Sequence, residues 1–151
     1  MQNQEKVIAT NKKAFHDFFI EDTYEAGIQL AGSEVKSLRN GGLNLKDSFA
    51  IIKNGEVFLV GAHISPYKMG GHFTPDPRRD RRLLLHKKEI ARLRGKVEQK
   101  GYALVVTKAY FKQSLVKVEL ALAKGKEAHD KRQALKEKQQ KRDVERALAD
   151  Y

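Results

Sequence analysis

Apolar residues in this chain alternate more often than they recur at helical spacing. Leu115–Leu122 puts Val116, Val118, Leu120 and Leu122 on one side and Lys117, Glu119 and Ala121 on the other, the period-two pattern of a half-buried strand. Tyr102–Phe111 is its expected hairpin partner. Ser48–Lys53 and Glu56–Ile64 flank Asn54-Gly55. That dipeptide predicts a second hairpin, because both central residues of the tight turn need positive φ. His16–Tyr24 mixes aromatic and polar residues and predicts another strand, continued or partnered by Gly27–Leu30. Arg81–Leu85 predicts one more.

Two segments carry helical spacing instead. Gly32–Gly41 predicts a short helix with Ser33 as N-cap and with Val35 and Leu38 inward. Lys87–Lys100 predicts a longer one, with Ile90, Leu93 and Val97 on one side and Gly101 as its stop. Between them, Ser65–Arg79 holds all three prolines and Gly70-Gly71, so it reads as a long loop. Short strands with two or three short helices describe a mainly β fold. A small antiparallel β-barrel meets these counts, and the oligonucleotide-binding barrel is one such architecture. Aromatics such as Phe19, Phe49 and Phe58 are expected in its core.

The pattern stops near residue 123. Residues 1–123 read as the barrel; residues 124–151 hold nine Lys or Arg, six Asp or Glu and few apolar side chains. On a helix, Val144, Ala147 and Leu148 share a side, but Leu135 lies about half a turn away, so no continuous apolar stripe forms. Burial cannot offset the ordering entropy of such a segment. It is expected to be mobile alone and, being rich in good helix formers, helical once a partner supplies a surface.

Charge narrows the partner. The chain of 151 residues carries a net +11, of which the first 123 residues hold +8 and the tail +3. An excess of this size favours polyanions. Cysteine is absent, which excludes disulfides and thiolate metal sites. No apolar run is long enough to cross a bilayer and the first residues lack a signal-peptide layout; a cytoplasmic monomer without membrane attachment is expected. His16, His63, His72, His86 and His129 are scattered without metal-ligand spacing. Asp76 and Asp80 lack a third ligand, and Gly125-Lys126 lacks the context of a phosphate loop. Neither catalysis nor a cofactor is expected.

Several motifs occur in a specific order: Asn11-Lys-Lys-Ala-Phe-His-Asp17, Gly32-Ser-Glu-Val-Lys-Ser-Leu-Arg39, Arg82-Leu-Leu-Leu-His-Lys-Lys-Glu-Ile90, Gly125-Lys126 and His129-Asp-Lys-Arg132. Together they closely resemble the SsrA-binding protein family, also called small protein B, from about Asn11 to Arg146. The resemblance implies an oligonucleotide-binding-type barrel that binds transfer-messenger RNA and brings it to stalled ribosomes in trans-translation. It further implies a tail that enters the small subunit's empty messenger channel at the decoding centre, and contacts with elongation factor Tu to which no residues are assigned.

The resemblance also suggests site residues. For the RNA these are Asn11, Lys12, Lys13, Glu25, Lys36, Ser37, Arg39, Arg81, Arg82, Leu84 and Lys87. Lys and Arg would fix register on phosphates; Glu25 would accept from a base amino group or a 2′-hydroxyl. For the ribosome they are Gly125, Lys126, His129, Asp130, Lys131 and Arg132. Two departures stand out: Glu127 occupies a position that is usually Lys in the family, and Met69–Arg79 differs from the commoner loop. Composition alone fits a structural ribosomal protein with a basic extension equally well.

Overall fold

The computed structural model describes residues 5–67, 75–99 and 101–126. In chain order the elements are β1 (Glu5–Thr10), α1 (Lys12–Asp17), β2 (Phe18–Ile28), α2 (Gly32–Arg39), β3 (Leu43–Asn44), β4 (Phe49–Lys53), β5 (Glu56–Val60), β6 (His63–Ile64), β7 (Arg81–Leu84), α3 (Lys87–Val97), β8 (Tyr102–Lys112) and β9 (Leu115–Gly125).

Seven strands join in the order β1-β8-β4-β5-β7-β2-β9, and β9 pairs back onto β8. The ladder therefore closes into the expected small antiparallel barrel. Its seam is narrow, because β4 meets β8 only at Ala50 and Leu104. Both expected hairpins form. The β4–β5 turn has positive φ at Asn54 (53°) and Gly55 (77°), as a two-residue turn of that hand requires. The loop before β7 is non-regular over its described residues.

The barrel interior is filled by Val57, Leu59, Leu83, Leu104, Val106, Val118, Leu120 and Leu122, and Leu93 of α3 is buried with them. Burying aliphatic side chains of this size stabilises a fold by about 1.5–3 kcal/mol each. The aromatics do not join them as expected. Phe19 is 47% and Phe49 45% exposed, and Phe58 is half-buried. Branched aliphatics fill so narrow a barrel, leaving these rings at its surface.

Other boundaries also differ from expectation. His16 and Asp17 end α1, so β2 starts at Phe18. Neither β1 nor α1 is signalled by alternation. Ala31, not Ser33, caps α2, and its N–H donates to Glu34 Oε1 at 2.9 Å. α3 ends at Val97. Ala121 is buried on the outer side of β9, because α1 covers it: Ala14, Val105, Ala121 and Ala123 form a second small core with Phe18 and Ile20.

Asn11 sets the position of α1. Its side chain accepts from Ala14 N–H at 3.2 Å and donates to the carbonyls of Leu45 (3.2 Å) and Val106 (3.1 Å). Asn11→Ala removes the cap and orphans two carbonyls, and should cost about 2–4 kcal/mol. Thermal unfolding of that variant checks it: an unchanged midpoint would remove Asn11 from this structural role.

Candidate nucleic-acid interface

Three of the suggested contacts are built into the protein. Asn11 is buried in the cap just described. Ser37 is buried, and its hydroxyl donates to Ser65 O at 2.6 Å. Arg81 is 0% exposed; it donates to Glu34 Oε2 and to the carbonyls of Ala62, Pro77 and Arg79. The inward side of β7 carries Arg81 and Leu83, so Arg81 belongs to the interior and not to a basic face. No side-chain donor of these three is offered to a ligand.

The outward side of β7 behaves differently. Arg82 and Leu84 point out, and the sheet extends the surface they begin. Leu84 pairs with Gly27 of β2, Gly27 with Lys117 of β9, and Lys117 with Tyr110 of β8. Cross-strand partners share a face, so Leu84, Gly27, Lys117 and Tyr110 form one row across four strands. A parallel row holds Glu25, Glu119 and Lys108. Gly27 leaves the row low at its centre: a Cβ there would meet Leu84 Cβ at 3.3 Å. Leu84 itself is 46% exposed.

Glu25 is held at the edge of this face. Its carboxylate accepts from Tyr110 Oη at 2.5 Å and from Lys112 Nζ at 3.3 Å. The Tyr110 bond holds the Glu25 carboxyl below its usual range, with burial opposing and Lys112 assisting. Burial and the Glu25 bond push the Tyr110 hydroxyl up. The arrangement is an ionised, oriented acceptor beside lysines. It can take a hydrogen bond from a 2′-hydroxyl or a base amino group while the lysines meet phosphates.

A cleft of about 530 Å³ adjoins Leu84. Arg82, Leu84 and Lys87 line it together with Arg94 of α3 and Glu56 of β5. Arg82 is paired with Glu56 at 2.9 Å on an exposed site, a pairing that adds little stability and leaves the guanidinium available for exchange.

The remaining suggested residues lie apart from the row. Lys12 is exposed on α1, and Lys13 Nζ is 2.7 Å from Asp47 Oδ1. Lys36 and Arg39 are exposed on α2, with Lys36 Nζ 5.8 Å from the Tyr67 ring centre. Gly125 closes β9 opposite Phe18, three residues beyond the expected end of that strand. Lys126 Nζ donates to Phe15 O at 3.2 Å. His129, Asp130, Lys131 and Arg132 lie outside the described residues.

The sequence does not single out Lys108, Tyr110, Lys112, Lys117 or Arg94 as contacts. Lys117 is legible as outward on its strand; its alignment with Gly27 and Leu84 depends on pairings between strands far apart in sequence. Among the described residues no cluster of three His, Cys, Asp or Glu side chains can hold a metal ion, and no helix is long and apolar enough to cross a membrane.

Known proteins share much of this sequence. A family model described as SmpB protein matches residues 8–150. The SsrA-binding protein of Caldicellulosiruptor bescii is 57% identical over 150 residues, covering 99% of this chain and 95% of the relative. That of Halothermothrix orenii is 58% identical over 147 residues, covering 97% and 95%. A solved chain from the structure described as "tmRNA-SmpB: a journey to the center of the bacterial ribosome" is 52% identical, with a TM-score of 0.66, covering 78% of this chain and 83% of that one. Its fold class agrees with the closed antiparallel barrel, and near-full-length identity above half leaves one conclusion: this chain belongs to the SmpB protein family, the SsrA-binding proteins.

Proposed function

We propose that the protein is a non-enzymatic RNA-binding adaptor of trans-translation, which binds transfer-messenger RNA (tmRNA) and delivers it to stalled ribosomes. The match to SsrA-binding proteins over nearly the whole chain carries this reading. The barrel holds the transfer-RNA-like part of the RNA through the outer sheet face. There Lys108, Lys112 and Lys117 neutralise phosphates, Glu25 accepts from a ribose or base, and Leu84 contacts an unstacked group over the Gly27 hollow. Arg82, Lys87 and Arg94 continue the basic surface along α3. Residues after Lys126 act separately, entering the vacant messenger channel and taking shape there. The adaptor works in the cytoplasm, where its partners are, and elongation factor Tu meets the assembled complex.

The test is affinity for the transfer-RNA-like fragment of tmRNA as a function of salt. Binding is expected to fall steeply as salt rises, because neutralised phosphates release counterions. Reversing Lys112 and Lys117 to Glu should weaken binding by roughly tenfold or more and flatten the log–log salt slope by about 2, one for each phosphate left without its lysine. Unchanged affinity and slope in that double variant would remove the outer face from the interface.

A further inference from the structure

A second exposed surface lies at the opposite end of β2. Phe19 pairs with Lys124 of β9, and Lys124 with Tyr102 of β8. These three side chains form a row that continues the inward-facing side of the strands past the mouth of the barrel. Lys124 Nζ stands 5.6 Å from the Tyr102 ring centre and Lys126 Nζ 5.1 Å from that of Phe19. The Tyr102 hydroxyl donates to Glu21 at 3.1 Å, which fixes the ring. Phe19 is 47% exposed and neighbouring Phe15, whose carbonyl holds Lys126, is 48% exposed. At about 3.3 Å per residue, Phe19 is roughly 25 Å along β2 from Gly27 and the first face.

We propose that Phe19, Tyr102, Lys124 and Lys126 form a second RNA-binding surface, a stacking shelf for unpaired bases of ribosomal RNA. The chemistry selects this occupant. Each ring has a lysine over its face, so a partner must offer a flat π-surface for the ring and a negative charge for the ammonium it displaces. An unstacked nucleotide offers both. An apolar protein surface would strand both lysines, and an acidic peptide would have no use for the ring faces. Position selects the ribosome. The shelf is built at the last described residues of the chain, where the tail begins, and far from the face assigned above to tmRNA. This inference rests on the adaptor reading.

The test uses the full-length protein and Phe19→Leu, which keeps an apolar side chain but removes the stacking face. Affinity is measured for purified small ribosomal subunits with an empty messenger channel and for the transfer-RNA-like fragment. Removing the platform under one stacked base typically weakens binding by roughly tenfold, so Phe19→Leu should show that deficit on the subunits and stay within about twofold on the fragment. Oligoadenylate against an abasic strand of equal length adds a chemical readout. The intact protein should prefer the bases, Phe19→Leu should lose the preference, and Lys124→Ala should weaken both strands alike. Equal affinity of Phe19→Leu and the intact protein for subunits, or a loss confined to the fragment, would overturn the shelf. Failure of the intact protein to bind the fragment at all would instead sink the adaptor reading. Unchanged thermal unfolding of Phe19→Leu separates either result from misfolding.

Discussion

Removal of residues 127–151 is expected to leave the affinity for tmRNA within about twofold and to abolish peptide tagging on stalled ribosomes. The cut belongs after Lys126. β9 runs to Gly125, which pairs with Phe18, so a cut at residue 123 would strip two residues from the barrel and confuse the two functions. The outer face and its partners Glu25, Leu84, Lys112 and Lys117 remain whole in the shorter deletion. Two linked binding modules gain roughly 10²–10⁴-fold over either alone, and losing one forfeits that gain without altering the other. Ribosome capture by the truncated protein, still loaded with tmRNA, should therefore fall by at least about 100-fold. Tagging assayed on ribosomes stalled at a message end, beside a tmRNA binding curve, gives both numbers. Loss of tmRNA binding on truncation would place RNA recognition in the tail and contradict the division of labour.

Replacing Glu34 by Gln should unfold the protein far more readily, by about 3–5 kcal/mol, the usual cost of breaking a buried ion pair from one side. Glu34 is 4% exposed and bridges two guanidinium groups, Arg79 at 2.7 Å and Arg81 at 2.6 Å. The bridge ties the start of α2 to the segment entering β7. Burial works against the Glu34 charge; the Arg79 bond, the Ala31 amide and Arg81 outweigh it and hold the carboxyl below its ordinary 4.5. A carboxyl depressed on folding stabilises the protein above its unfolded pKa, and that stability is lost as pH falls below it. Unfolding midpoints between pH 3 and 7 should therefore drop for the natural protein below about pH 4.5. The Glu34→Gln variant should start lower and lack the part of that acid response owed to Glu34. A variant within about 2 °C of the natural protein at pH 7 would show that the bridge contributes little.

Much of the barrel was legible because its strongest signals are local. Asn54-Gly55 needs only its own φ angles, and the alternation Val116–Leu122 needs only a strand. What escaped depends on pairing at a distance. β1 is exposed along much of its length and gains its place only by pairing with β8. α1 follows a capping bond from Asn11 that also needs Leu45 and Val106. Ala121 reads as outward on β9 until α1 covers it. The site shows the same division. Arg82, Leu84 and Lys87 are close in sequence and come together in one cleft. Arg81, one residue from Arg82, points to the opposite side of β7, and a charge run does not reveal which members face inward. Lys117 and Lys112 join Glu25 and Leu84 only through the β2–β9 and β8–β9 registers.

The adaptor differs from a structural ribosomal protein in what it carries and in what amount. The most direct measurement is to recover the full-length protein from cells at moderate salt and sequence and quantify the RNA that comes with it. The expected result is tmRNA as the dominant specific partner, near one molecule per protein, with ribosomal RNA substoichiometric and enriched when ribosomes are stalled. Small-subunit RNA recovered in equal amount to the protein, without tmRNA, would contradict the adaptor function.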